Sequence, residues 1–166
     1  VGVQQTFTTT VQTGGAYSVD VPSELAEGDY SVTATAIDAA GNSSTANDAG
    51  SLDVTAPTIT VDAPALTNDR TPTITGTTDL AAGSTVTLVV TDSAGVQQIL
   101  TATVQTGGTY SVDVPSALAE GNYRVVATAT DTAGNSSTAN DSGSLDVTYG
   151  QAGAPDVQIT DNSGNG

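Results

Sequence analysis

The chain reads as all-β, a tandem series of small antiparallel sandwich domains, and three observations point there. The first is repetition: Val3-Gln4-Gln5 through Asp53-Val54-Thr55 returns without a gap as Val96-Gln97-Gln98 through Asp146-Val147-Thr148, offset by about 93 residues and changed at about eleven positions. The second is composition, since Thr, Val, Ser, Ala, Gly and Asp dominate and periodic blocks of helix formers are missing. The third is punctuation: short alternating runs stop at clusters of Gly, Pro, Asn and Asp, as strands stop at turns.

The repeat sets the domain boundaries. Residues 56–148 make one complete unit, and residues 1–55 are the back part of a preceding one. Residues 149–166 read as the start of a following unit or a polar tail, because Ala154-Pro155-Asp156-Val157-Gln158-Ile159-Thr160 echoes Ala56-Pro57-Thr58-Ile59-Thr60-Val61-Asp62. The first unit therefore carries an apolar face that needs covering, by a segment ahead of it or by another chain.

Within the complete unit the alternation gives strand A at 58–61, B at 71–77, C at 85–91, D at 96–105, E at 109–114, F at 123–131 and G at 143–148. Asp92-Ser93-Ala94-Gly95 turns C into D, and Gly107-Gly108 supplies the positive backbone dihedrals of a tight turn between D and E. Leu118-Ala119-Glu120-Gly121-Asn122-Tyr123 places a Tyr at the start of F after a Gly turn. That is the pattern of a tyrosine corner, whose hydroxyl satisfies a backbone group of the E–F connection. The inward positions are Val86, Leu88 and Val90 on C, Val112 and Val114 on E, Tyr123, Val125, Ala127 and Ala129 on F, and Leu145 and Val147 on G. Seven strands in about 93 residues are the content of an immunoglobulin-like sandwich. Its core is small, and at about 25 cal/mol per Å² its burial gives ordinary, marginal stability.

Charge and residue types exclude several function classes. Eighteen carboxylates face only Arg70 and Arg124, for a net charge of −16 without Lys or His. Such a field repels nucleic acid and anionic membrane and concentrates cations. There is no Cys for disulfides or thiolate metal sites, and no apolar run approaches the roughly 20 residues of a membrane span. Without His, Cys or Lys, and without a Gly-x-Ser-x-Gly elbow, P-loop or dinucleotide fingerprint, the chain reads as a non-enzyme.

Three motifs fall in order within one period: Asp53-Val54-Thr55-Ala56-Pro57, Asn68-Asp69-Arg70-Thr71-Pro72-Thr73-Ile74-Thr75-Gly76 and Ala129-Thr130-Asp131-Thr132-Ala133-Gly134-Asn135-Ser136. Together they resemble the bacterial immunoglobulin-like repeats of giant secreted cell-surface adhesins, including the RTX type, over essentially the whole chain. The resemblance implies an extracellular stalk on the bacterial surface, built from neighbouring repeats and stiffened by Ca²⁺ at the joints between domains. Where such repeats often carry Trp or Phe on strand E, this chain has Tyr110.

Strand direction sorts the acids into two poles independently of the resemblance. The B–C, D–E and F–G connections share the leading end of a unit, and the A–B, C–D and E–F connections share the trailing end. One joint then gathers Glu27, Asp29 and Asp53 from the first unit with Asp79, Asp131 and Asn135 from the second. The next gathers Asp62, Asp69, Asp92, Glu120, Asn122 and Asp146 with Asp156 or Asp161, and Arg70 beside them is a possible partner for one acid. Crowded carboxylates repel each other, and a hard cation with six to eight oxygen ligands relieves this. Asp and Asn also cap turns, so Asp38 and Asp131 have a purely structural reading as well, while Asp20, Asp48, Asp113 and Asp141 read as a solvated face.

The principal expectation is a stalk extender rigidified by Ca²⁺. One alternative is a ligand- or carbohydrate-binding module, for which Tyr17 and Tyr110 are the candidate contacts. Another is a subunit that exchanges strands with another copy to build an extracellular filament, using the open face of the first unit.

Overall fold

The computed structural model describes residues 3–148. The echo of strand A at 154–160, with Asp156 and Asp161, lies outside the described residues. The chain divides into two units, Val1–Thr55 and Ala56–Gly166, and all nine elements among the described residues are strands.

The first unit holds one long antiparallel hairpin, β1 (Gly28–Ile37) and β2 (Ser43–Leu52), in register from Gly28↔Leu52 to Ile37↔Ser43. Its turn is closed by Asp38. One carboxylate oxygen accepts the backbone N–H groups of Ala40 (2.9 Å) and Asn42 (2.8 Å), and the other accepts the Asn42 side-chain amide (2.8 Å). Residues 3–27 contribute no strand; a turn joins Gln12 to Ala16.

The second unit contains β3 (Leu66–Thr67), β4 (Thr73–Thr77), β5 (Thr85–Thr91), β6 (Gln97–Thr103), β7 (Thr109–Asp113), β8 (Gly121–Thr130) and β9 (Ser136–Leu145). One sheet pairs β4 with β7, and the other runs β3-β9-β8-β5-β6. Every strand pairing is antiparallel except β3 with β9. Residues 58–67, the first strand of this unit, serve both sheets: they bridge to Thr78 just after β4 (Ile59↔Thr78) and to Thr75 within it (Asp62↔Thr75), then cross at Ala63-Pro64-Ala65 to run beside β9 as β3. Pro64 suits the crossing because it has no N–H to leave unpaired.

The core lies between the sheets, and alternation placed much of it. Val86, Leu88, Val90, Val114, Tyr123, Val125, Ala127, Ala129 and Leu145 are buried, and Val112 and Val147 pack half-buried against them. Ala63, Ile74, Leu100, Ala102, Val104, Tyr110 and Leu118 are buried with them.

The strand read as D, now β6, pairs with β5 in the five-stranded sheet across the tight turn read at Asp92–Gly95. Two details differ from the sequence reading. The last strand begins at Ser136 rather than Gly143. Its first half is Ser, Thr, Ala and Asn, which reads as loop, yet it pairs residue for residue with β8. The Tyr123 hydroxyl donates to the Pro64 carbonyl (2.7 Å) on the first strand, not to the E–F connection, because the first strand passes directly over the ring.

Candidate functional site

Strand direction places the second unit's connections at two ends, and hydrogen bonds tie each end together. At the leading end Asp79 accepts the N–H of Thr58 (2.9 Å), and Ser137 donates to the Pro57 carbonyl. At the trailing end Asp92 accepts the N–H of Ala119 (3.0 Å), Leu118 N–H bonds to Arg70 carbonyl (2.8 Å), and Asp146 N–H bonds to Thr67 carbonyl (2.9 Å).

The trailing end collects carboxylates in the same way in both units. In the first, both oxygens of Glu27 accept the Thr55 hydroxyl (2.9 and 2.7 Å), while Asp53 accepts the Thr55 N–H (3.0 Å). In the second, Glu120 accepts the Thr148 hydroxyl and Asp146 the Thr148 N–H (3.0 Å). A pair of exposed acids thus converges on one Thr at the end of each unit. The side chains of Thr55 and Thr148 were missed by sequence reasoning, although the Asp-x-Thr spacing signalled them, since an Asp carboxylate caps the N–H two residues on.

The remaining candidates are more dispersed. Asp69 caps the N–H of Thr71 (2.9 Å) in the turn before β4. Asp29 and its counterpart Asn122 sit near the starts of β1 and β8, opposite Ser51 and Ser144. Asp62 belongs to neither pole, because it bridges to Thr75 in the middle of β4. Arg70 directs its guanidinium to the Leu118 carbonyl (3.3 Å).

Asp131 and Asn135 act first on each other. One Asp131 oxygen accepts the N–H groups of Ala133 and Asn135 (both 2.9 Å), and the other accepts the Asn135 amide (3.0 Å). The Asn135 side chain is the main reason the Asp131 carboxyl sits below the usual carboxylate range. Asp92 is lowered chiefly by the N–H groups of Ala119 and Val96. Asp141 is lowered by those of Ala63 (2.8 Å) and Ser142 (2.8 Å), so it anchors the first strand rather than lying on a solvated face.

The donor chemistry suits calcium, while the number of donors within a unit does not complete a site. Oxygen is the only ligand type on offer, and Ca²⁺ takes six to eight oxygens at about 2.3–2.6 Å. At each trailing end two carboxylates converge on one Thr, and among the described residues no cluster of three or more acidic side chains could hold an ion.

The family model of the bacterial Ig-like domain matches residues 1–62 and 49–148. The chain belongs to that family. This bacterial Ig-like chain is 38% identical to the crystal structure of a tetra-tandem repeat in the extending region of a large adhesion protein, at a TM-score of 0.53. The match covers 84% of this chain and 37% of that one, so the chain spans well under half of its relative. It is also 27% identical to a Ca²⁺-stabilized adhesin that helps an Antarctic bacterium reach out and bind ice, over 72% of this chain and 32% of that one, with a TM-score of 0.38. A bacterial immunoglobulin-like domain from the M. primoryensis ice-binding adhesin is 32% identical, over 55% of this chain and 97% of that one, at a TM-score of 0.35. No curated protein matches the chain.

In this bacterial Ig-like chain the candidate ligand-binding residue Tyr110 is buried. Its hydroxyl donates to the Thr60 carbonyl, and burial pushes its pKa up to about 12.

Proposed function

We propose that these bacterial Ig-like repeats are a stretch of the stalk of a bacterial surface adhesin, spacing a binding region from the cell, with calcium stiffening the joints between successive repeats. One observation carries the reading: the same Glu–Thr–Asp arrangement ends both units, at Glu27, Thr55 and Asp53 and again at Glu120, Thr148 and Asp146. A feature copied with the domain and placed at its end belongs to what joins domains. The similarity to an extending-region repeat supports the same role.

In this reading a joint draws its ligands from a trailing-end pair with Asp29 or Asp69, and from the leading-end oxygens Asp79, Asp131 and Asn135 of the next repeat. A bound ion supplies positive charge that offsets carboxylate repulsion and converts a hinge into a stiff connection. Asp131 and Asn135 take part by exchanging their internal hydrogen bonds for the metal. Partners are neighbouring repeats of the same chain, and the location is the outside of the cell.

Small-angle scattering and calorimetry of the chain in Ca²⁺ and in EDTA test this. Chelation is expected to lower the melting temperature and broaden the distribution of interdomain angles. Superimposable scattering curves with equal melting temperatures would refute calcium stiffening, and Glu27→Gln with Asp53→Asn is expected to mimic chelation.

A further inference from the structure

The five-stranded sheet turns one face to the core and one outward, and the outward face stands apart in charge. The chain carries eighteen carboxylates against two arginines. Yet β5, β6, β8 and β9 contain a single acid, Asp141, and it points inward to hold the Ala63 N–H. Asp92, at the rim, commits both carboxylate oxygens to the N–H groups of Ala94, Val96 and Ala119. What faces outward is Thr, Ser, Asn, Gln, a short apolar row and one cation, Arg124, whose guanidinium donates to the Asn140 side-chain oxygen.

The apolar row crosses the sheet at one level. Register sets Ile99 of β6 beside Val89 of β5, and Val89 beside Val126 of β8. Ile99 is 74% exposed, while Val89 and Val126 are half-buried by their neighbours on the sheet. At the adjacent level Thr101, Thr87, Thr128 and Thr138 stand side by side, so that methyl groups continue the row.

The two copies of the repeat diverge on this face. On β8 and β9 every inward residue is the same in both copies. Outward, Asp29, Ser31 and Thr33 become Asn122, Arg124 and Val126, and on β6 Thr6 becomes Ile99. The second copy loses an acid, gains a cation and replaces two hydroxyls with apolar side chains at mid-sheet, while Ile37 at the strand end becomes Thr130.

We propose that the outer face of β6, β5 and β8 is a contact surface for a second copy of this chain, packed like face to like face. Charge selects the occupant. At −16 per copy, two chains repel wherever acidic surfaces meet, and the other sheet exposes Asp113. The outer face of the five-stranded sheet can press against its like without bringing carboxylates together. Packing about a two-fold axis stacks Ile99, Val89 and Val126 of one copy on those of the other, about 10 Å apart as in packed sheets, with Gln97 and Arg124 at a polar rim. One such contact is small and weak, and successive repeats on parallel stalks add to it by avidity. That last step rests on the stalk reading; the pairwise contact does not, and it needs no calcium.

Sedimentation velocity of the full chain in EDTA tests the contact. The dimerisation constant is expected to rise about tenfold or more from about 0.02 to 0.5 M NaCl, as the screening length shrinks from about 20 to 4 Å. Ile99→Thr with Val126→Thr restores the first copy's residues and is expected to lower the constant about tenfold or more, with the circular dichroism unchanged. Thr101→Glu places an acid on the face and is expected to do the same, while Ser111→Glu adds that charge to the other sheet and leaves the constant within about twofold. A chain that stays monomeric in high salt at about 1 mM, the weakest affinity of interest, overturns the proposal. So does association that survives either the double substitution or Thr101→Glu, which would assign it to another surface, or an equal loss from Ser111→Glu.

Discussion

Replacing Gly143 by Ala isolates the grip of the five-stranded sheet on the first strand. The glycine is not needed for its backbone angles; it is needed because a Cβ there would collide with the Pro64 carbonyl and approach the Tyr123 hydroxyl to 2.5 Å. A backbone carbonyl cannot swing aside, so the first strand must lift. Lifting loosens three hydrogen bonds: Tyr123 to Pro64, Ala63 to Asp141, and Ser144 to the Ala65 carbonyl. At about 1 kcal/mol each, the loss is about 3 kcal/mol. With a urea m-value of about 1.5 kcal/mol/M, the midpoint of the second unit falls by about 2 M. Urea unfolding followed by far-ultraviolet circular dichroism reads this directly. The matched control is Gly50→Ala, where the only close neighbour is the half-exposed Tyr30 side chain, which can rotate away; the expected change is under about 0.5 kcal/mol. A Gly143→Ala midpoint within about 0.3 M of the parent would refute the reasoning.

Other expectations follow from the same contacts. Tyr110→Phe leaves the Thr60 carbonyl without its donor and is expected to cost about 1–2 kcal/mol in urea unfolding, with no loss contradicting a structural role for the hydroxyl. Because burial raises Tyr110 to about 12, the folded unit keeps a proton that the unfolded chain releases near its ordinary value of about 10. Stability therefore drops as pH rises above about 10, and Tyr110→Phe should flatten that drop in alkaline urea titrations. Asp141 runs the other way: its lowered pKa stabilises the fold above the unfolded value of about 3.9, and the benefit disappears as pH falls through the folded value. The stability difference between parent and Asp141→Asn should hold from pH 7 to about 5 and vanish in strong acid; a difference that grows on acidification would contradict this. Val126 is half-buried beside Val89 on the outer face of the five-stranded sheet, where the first repeat already carries Thr33, and Val126→Thr should shift stability by less than about 0.5 kcal/mol.

The buried faces of β5 and β8 were legible because Val86, Leu88 and Val90, and likewise Tyr123, Val125, Ala127 and Ala129, alternate with Thr, Arg and Val in a period of two. The first half of β9 was not, since Ser136 through Asn140 have no apolar alternation and owe their strand to ten residues of pairing with β8. Among the acids, Glu27 with Asp53 and Glu120 with Asp146 could be assigned to one end from strand direction alone. Asp62 could not, because a first strand that changes sheets holds it at mid-sandwich. The inward commitment of Asp131 to Asn135 depends on the side-chain geometry of a closed turn, which residue types leave open.

Two identical stretches separate what sequence determines from what tertiary structure decides. Asp-x-Ala-Gly-Asn closes the same turn, with the same capping bonds, at Asp38 and at Asp131, and both turns join ten-residue strands in matching register. All the partners are within a few residues or on the adjoining strand, so the local sequence suffices. Tyr-Ser-Val-Asp-Val occurs at 17–21 and at 110–114, yet it forms β7 only in the second copy. A strand's hydrogen bonds and its apolar cover come from residues distant in sequence, and here β4 supplies the first while β5 and Ile74 supply the second. The alternation sets which face is ready for burial; only the presence of the covering segment makes it a core.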